Sequence, residues 1–527
     1  MFRLLTFRAC FLLWSCYSGL AGLFAQQNDI PLNRDIYYDL DRNHACRTDG
    51  THTGLRPYIQ SRANTDGVLG FRPDSGRYYY EITELMFKRH LFEIKQGDFR
   101  ATIDPVFQFD LGFDYSALYT DSTYGKAYHN GRGIRIAADF GPKVSVQTTF
   151  YENQADLPVY LYLYANQQGA VPGQGRVKTL KRQEMDFAWA MGNVSYSPWR
   201  WLNLQFGNDR MFVGDGYRSL LLSDNTSPYP YFKASVLSPD KRWQYSTINT
   251  KMEVFERLPT GRSAESLFYW KRASFHHLSF NAGPVQLGLF ESTMWRTIDS
   301  SGVLPMDAWQ VNPVIGLNTL IGADPDQDGM LVGLHAKVKL TDKLFAYGQF
   351  ASDGAEASRN GWQAGLQWFD LFQKDMHVLV EYNAVTPFLY ANNDPNMNFA
   401  HAGQPLAHPM GAAFNELVLI MDLRIKKKFW AQCKVNQAMR RTDPTDADAF
   451  GGDIFKPGIE QAVSEGPIDR RTTYLDLSFS RLMNQMTNMR VTAGWQYRDV
   501  TPGPVTENAS YFYVGFRTGL FNRYYDL

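Results

Sequence analysis

From Phe107 to Thr518 the chain keeps returning to one pattern, in which bulky apolar and polar residues alternate. Phe107, Phe109, Leu111, Phe113 and Tyr115 alternate with Gln108, Asp110, Gly112 and Asp114. Leu334, Ala336, Val338 and Leu340 alternate with His335, Lys337 and Lys339, and Trp362, Ala364, Leu366 and Trp368 with Gln363, Gly365 and Gln367. A period of two places successive side chains on opposite faces of a strand. A soluble sandwich also alternates, but here the polar face carries Gln, Asn, Ser, Gly and charge at strand centres while the other carries aromatics, as lipid contact requires. Beyond residue 25 no run reaches the ~20 apolar residues of a membrane helix. Strands with one lipid-facing side must close, because an open edge in hydrocarbon leaves N–H and C=O groups unpaired. The fold expected is all-β and transmembrane: a large antiparallel outer-membrane β-barrel of roughly 16–18 strands, with a short N-terminal periplasmic helical part and folded-in loops. Composition agrees: aromatics make up 15% of the 527 residues, yet mean hydropathy is only −0.36.

Residues 1–25 read as a secretory leader, with Arg3 and Arg8 ahead of an apolar run and Ala25 at the cut. A lipoprotein cut before Cys16 is disfavoured by Trp14. Losing Arg3 and Arg8 leaves the chain two basic residues short of its 53 acidic ones, which gives nucleic acid no basic surface. Cys10 and Cys16 leave with the leader, and Cys46 and Cys433 are expected as free thiols. Residues 26–100 are read as a periplasmic arm, polar and irregular as far as Ser75, with a short amphipathic helix within Tyr79–Phe92 that caps the barrel. The barrel is assigned residues 101–527.

The stretch Phe206–Lys233 interrupts the pattern. Asp209, Arg210, Asp215, Arg218 and Asp224 sit among Leu, Tyr and Phe, so the segment must enter an enclosed place with its charges paired or wet. It is expected to fold against the lumen wall, with Arg218 brought to Asp215 or Asp209 by the reversal at Gly214 and Gly216. Asp209, Arg210, Asp215 and Arg218 are its structural residues. Asp224, Asn225 and Tyr229 are left as glycan-binding candidates, for hydrogen bonds to sugar hydroxyls and ring stacking.

The run Gly214 to Asn225 with Pro228-Tyr229-Pro230 resembles the signature of the Wzi-type outer-membrane proteins of capsule assembly, and more closely the Bacteroidetes gliding-motility branch that includes RemB. Thr102 to Phe107 resembles the first barrel strand of that branch. Asn312-Pro313-Val314-Ile315, Leu331 to Leu334 and Tyr347 to Phe350 resemble its middle strands, and His401 to Gly411 with Glu416 its late loop. The resemblance implies binding of surface or capsular polysaccharide from the bacterial outer membrane, alongside its lipids and with gliding or capsule-export machinery as partners. It adds His401 and His408 to the glycan candidates.

No cofactor is called for. Asp324, Asp326 and Asp328 before Gly329 match the first half of a calcium loop, but His335 stands where the last acidic ligand belongs, so they are weak metal candidates. His276 and His277 are adjacent on a strand and face opposite ways. No G-x-S-x-G elbow accompanies Ser223 and the histidines, and the reading is non-enzymatic. A porin or substrate-specific channel stays open as the alternative, because a porin can also carry a long constriction loop.

Overall fold

The computed structural model describes residues 27–71, 80–116, 125–179, 183–257, 268–299, 302–324 and 328–527. The expected leader and Asp326 lie outside the described residues.

Eighteen antiparallel strands close into a barrel. They are β1 (Phe99–Asp114), β2 (Lys126–Phe140), β3 (Val144–Asp156), β4 (Met185–Trp199), β5 (Leu202–Asp209) and β6 (Tyr229–Leu237). There follow β7 (Trp243–Arg257), β8 (Phe268–Ala282), β9 (Val285–Arg296), β10 (Gly329–Lys339), β11 (Leu344–Asp353) and β12 (Asn360–Phe369). The last six are β13 (Met376–Val385), β14 (Phe414–Ile425), β15 (Phe429–Thr442), β16 (Ile468–Asn484), β17 (Met489–Thr501) and β18 (Ala509–Thr518). Each strand pairs with its sequence neighbours, and β18 returns to β1 with Tyr511 opposite Asp114 and Arg517 opposite Gln108.

The alternation sets which way each side chain points. Leu287, Leu289, Leu334, Trp362, Leu366, Phe479 and Val514 stand exposed on the outside, while Gln286, Lys337, Gln349, Gln363 and Glu381 are buried inside. This inversion of a soluble core places the apolar band against hydrocarbon and leaves the polar face for the lumen. Cys433 lies on the outer wall among Met421, Ala431 and Leu477, and both Cys46 and Cys433 are free thiols. Short turns such as residues 141–143, 283–284 and 426–428 lie at one end, the periplasmic end by the general rule for such barrels. Long connections, including residues 157–184 and 386–413, lie at the other.

Much of the lumen is filled by the chain itself. Residues 27–71 enter from the short-turn end and fill the lower part. They are not irregular throughout, since Arg34–His44 form an amphipathic helix, α1, capped by the Asn33 side chain. Ile36, Tyr37, Leu40 and His44 are its buried face; the charges between them had masked the period of 3.6. Arg42 of α1 meets Asp370 at 2.9 Å and Asp375 at 2.8 Å in the turn before β13, and Asp29 accepts from Asn193 and Gln205 of the wall. A second helix, α2 (Glu81–Phe87), falls inside the stretch read as helical. It stands beside the β16–β17 turn, where the Asn484 amide donates to the carbonyls of Leu85, Met86 and Arg89. Ile82 and Met86 are exposed, and among the described residues it is the arm containing α1 that fills this end.

Candidate functional site

The middle of the lumen belongs to residues 210–228, between β5 and β6. Gly214, at φ +128°, turns this loop sharply. Phe212 and Val213 pair as a two-residue strand with Leu55 and Arg56 of the arm. Otherwise the loop has little sheet to join, and side chains of the wall take the place of strand partners. The Gln349 carbonyl accepts from the Leu220 N–H at 2.8 Å, and its amide donates to the Val213 carbonyl at 2.8 Å. Gln367 donates to the Asp215 carbonyl and Gln363 to that of Arg218. The Glu381 carboxylate accepts the N–H groups of Tyr217 at 2.7 Å and Arg218 at 3.0 Å. A buried backbone must find partners of some kind, and the alternating Gln and Glu of β11–β13 supply them.

The loop's charges are paired across long sequence distances. Asp215 meets Lys337 of β10 at 3.1 Å and accepts from the Thr53 hydroxyl at 2.5 Å. Burial opposes ionisation of Asp215, but Lys337 and Arg56 outweigh it and hold the carboxyl at about 2. Arg218 is not next to Asp215 or Asp209, as the glycine reversal had suggested. Its guanidinium reaches Glu416 of β14 at 2.7 Å and Asp526 at 3.4 Å, all three side chains being fully buried. Burial would raise the Asp526 carboxyl, yet Arg218 and Lys434 beside it hold it below the usual carboxylate range. The difference arises because Glu416 and Asp526 come from the far wall and from the segment after β18, which no local spacing reports. Arg210 is buried with Asp209 bonded to its backbone N–H, and its guanidinium lies 5.4 Å from the Phe521 ring and 5.5 Å from that of Trp189.

Residues 519–527, after β18, turn back inside the barrel. The Asn522 amide and the Tyr524 hydroxyl both donate to Asp224, at 2.8 and 2.7 Å. Asp526 accepts from Tyr217 and Asn436 and pairs with Lys434 at 3.0 Å. From above, residues 386–413 descend onto the same loop. Ser223 donates its N–H to the Leu406 carbonyl, and Leu406, Ala407 and Met410 join Leu220, Leu221 and Leu222 in one apolar cluster. Each leucine so buried contributes about 2 kcal/mol relative to exposure. Helix α3 (Val159–Gln168) lies at the long-loop end, with the Tyr160 hydroxyl bonded to the Tyr525 carbonyl.

All five glycan candidates are sealed within this packing. Asp224 is taken up by Asn522 and Tyr524. Tyr229 and His401 lie together, ring centroids 5.7 Å apart and edge to face. His401 accepts from the Glu253 N–H at Nδ1 and faces the Pro228 carbonyl with Nε2. His408 bonds Glu416 at 2.7 Å, joining the Arg218 cluster. The Asn225 side chain is buried with no hydrogen-bond partner among the described residues. His276 and His277 do face opposite ways: His277 meets His335 inside at 2.7 Å, and His276 bonds Tyr245 on the outer wall. Asp328 donates its N–H to the Asp324 carbonyl and accepts the Asp324 N–H with its carboxylate, and among the described residues no three His, Cys, Asp or Glu side chains gather to hold a metal.

A cavity of about 260 Å³ remains beside the segment after β18, lined by Arg424, Arg490, Tyr474, Asp476, Tyr513 and Arg517 among others. Its lining is drawn from β1, β2, β12–β18, the arm, the central loop, α3 and the segment after β18, and it reaches from Arg490 near the short turns to Tyr128 and Leu161 near the long loops, so no single stretch of sequence signals it.

Acid should loosen the plug. His52 accepts from Ser279 and donates to the Lys241 carbonyl, and His401 is held in a similar donor–acceptor pair, so both are neutral in the fold. Burial pushes each from 6.5 down to about 4, against the opposing carbonyl of Lys241 or Pro228. The unfolded plug therefore binds more protons between those values. The stability these groups supply is complete above pH 6.5 and lost as pH falls through about 4, after which Asp215 continues the loss towards its own value. Asp29 of the arm works against them, since burial raises its carboxyl and acid favours its folded form. Protease cleavage of the arm in reconstituted barrels should therefore rise less over that window with His52→Gln than with the wild type, and identical profiles would refute it.

No family model matches the chain, and no curated protein matches it. Among solved structures it is similar to Wzi of Escherichia coli, an outer-membrane protein involved in group 1 capsule assembly and described as a carbohydrate-binding β-barrel. The TM-score is 0.56 at 14% identity, covering 94% of this chain and 100% of that one. OccK9 (OpdG) of Pseudomonas aeruginosa matches at a TM-score of 0.46 and 9% identity, over 79% of this chain and 97% of that one. OccAB2 of Acinetobacter baumannii matches at 0.42 and 9%, over 79% and 96%. The first shows the fold, an outer-membrane β-barrel; the other two superpose too loosely to carry an argument.

Proposed function

We propose that this protein is a closed attachment barrel of the bacterial outer membrane, which holds surface or capsular polysaccharide at its long-loop face and passes no solute. The observation that carries this reading is the filled lumen: arm, central loop and residues 386–413 stack along its height, bound by buried ion pairs. An 18-stranded barrel left empty would be wide enough for water, so filling it removes the use a porin has for that width. The likeness to a barrel described as carbohydrate-binding supports the choice of ligand. Fastening capsule to the cell and gliding over a surface both need such an attachment point. On this reading Asp224, Asn225, Tyr229, His401 and His408 form the buried framework that sets the shape of the long-loop face, and no bond-making chemistry is asked of them.

One observation favours a substrate-specific channel instead, the polar and aromatic cavity of about 260 Å³ inside the wall. Purified protein in planar bilayers decides between the two. The expected result is no stepwise conductance, together with saturable retention of cell-surface polysaccharide by the same preparation. Discrete conductance steps blocked by a small solute would establish the channel and end the attachment reading.

A further inference from the structure

Outward-facing residues near the middle of β7–β9 are polar, where lipid contact calls for apolar ones. The register aligns Thr247 with His276 and His276 with Glu291 across the three strands. One step along, Asn249, Ser274 and Thr293 form a second row. Glu291 shares its face with Leu287 and Leu289, which are 48% and 45% exposed, so it points away from the lumen. Yet His276, Ser274, Glu291 and Thr293 are all buried. Something covers them from outside.

The cover is the β9–β10 connection, described over residues 302–324. Its short helical turns Ala308–Val311 and Asn318–Gly322 lie against the outer wall. Glu291 is the latch. Its carboxylate accepts the N–H groups of Gly316 at 2.6 Å and Thr319 at 2.9 Å, and the Thr319 hydroxyl at 2.7 Å. Arg272 donates to the Gln310 side chain at 2.9 Å, and Asn318 to the Ser274 hydroxyl at 3.3 Å. The Tyr245 hydroxyl sits between His276 Nδ1 at 2.6 Å and the Pro313 carbonyl at 2.5 Å. The run from Asn312 to Ile315, likened above to a middle strand, is part of this cover and not of the sheet.

The other side of the cover is apolar and open. Val303, Met306, Val311, Val314, Leu320 and Ile321 are between 47% and 77% exposed. An aqueous loop gains nothing from six such side chains together, whereas hydrocarbon accepts them where the backbone beside them is paired, as the N–H groups of Leu304, Gln310, Asn312, Leu317, Leu320 and Ala323 are. Their height matches the argument, since the wall groups that hold the cover lie near mid-strand, level with Leu289 and Leu334 of the apolar band.

We propose that residues 302–324 are a membrane-embedded cover: lipid acyl chains solvate its outer face, and its inner face seals a polar patch on the lipid-facing wall. The occupant of the exposed face is hydrocarbon around Val311, Val314, Leu320 and Ile321, where no charged residue stands, while Asp307, exposed and charged, sets its own turn at the headgroup level. The wall polar groups are buried by protein, as hydrocarbon requires of any backbone or side-chain polar group at that depth.

The test uses the full chain with Cys10→Ser, Cys16→Ser, Cys46→Ser and Cys433→Ala, carrying a fluorescent thiol label at Leu320→Cys, Leu289→Cys or Ala357→Cys. Leu289 is the lipid-facing wall reference and Ala357, in an exposed turn of the long-loop end, the aqueous one. In phosphatidylcholine vesicles with brominated acyl chains, the Leu320 label should be quenched to within about twofold of the Leu289 label. Iodide in the buffer should quench it several-fold less than the Ala357 label. Adding Glu291→Gln should raise iodide quenching at Leu320 several-fold, with heat-modifiable gel mobility showing that the barrel still forms. A Leu320 label that follows Ala357 in both quenchers overturns the proposal. So does protection from both quenchers with a dimer in mild detergent, which would make this face a contact between copies. An unchanged Leu320 signal with Glu291→Gln removes Glu291 as the latch.

Discussion

Replacing Arg218 with methionine should cost about 3–5 kcal/mol of stability, the usual penalty for leaving buried charge unpaired. Methionine keeps much of the volume, so the loss is electrostatic and not a cavity. Glu416 would keep only His408 and its amide neighbours, while Asp526 would keep Lys434. The Glu381 carboxylate would still hold the loop backbone at residues 217 and 218, so the wall should close normally and the damage should show in the plug. Urea titration in detergent micelles, followed by protease access to the central loop, measures it. The triple variant Arg218→Met, Glu416→Gln, Asp526→Asn should recover most of the loss, because a neutral set needs no counter-charge. A single variant as resistant as wild type would mean that water, and not this triad, carries the charges.

Removing Gly519–Leu527 should have the second large effect, on permeability. That segment buries Leu520, Phe521 and Tyr524, ties Asp224 through Asn522 and Tyr524, and takes the Tyr160 hydroxyl of α3. It also forms one side of the cavity of about 260 Å³. Without it the cavity opens into the space left behind, and the central loop loses its far anchor. The strands themselves are untouched, since β18 ends at Thr518. Barrels should therefore assemble with normal heat-modifiable mobility but leak: swelling of sugar-loaded vesicles should quicken by at least tenfold. A variant as tight as the full chain would show that the arm and loops close the lumen unaided.

The wall was legible in the sequence because its rule is local. Gln363, Gly365 and Gln367 inside and Trp362, Leu366 and Trp368 outside follow from alternation alone, and the strand count fell within the expected range. That the central loop goes inward was also legible, because charges among leucines have few other places to be. Its partners were not. Arg218 finds a carboxylate 198 residues away, and nothing in its neighbourhood ranks Glu416 above Asp215. The helix Arg34–His44 was hidden by its own charges, which serve contacts to the turns and wall around it. The external cover was missed for a more specific reason. On β7, Thr247 and Asn249 are polar on the very face that should be apolar, and that conflict was a readable sign that another segment lies over them.

The way the arm is held has a consequence for the order in which the molecule can be built. The Asn33 side-chain amide donates to the Phe521 carbonyl, 488 residues along the chain, and its Oδ1 accepts from the side-chain amide of Asn488. Arg42 rests on the turn before β13, and Asp35 pairs with Arg490. Among the described residues the arm comes first in sequence, yet it acquires these partners only once the late strands are in place. Contacts of such span form late, since each must first close a very long loop. Closure of the wall spans almost as far, since the Ser510 N–H of β18 bonds Asp114 of β1 across 396 residues, so the ring closes and its interior is sealed in one late stage. Seal and ring then form together, and a cell making this protein is not left with an open pore in its membrane.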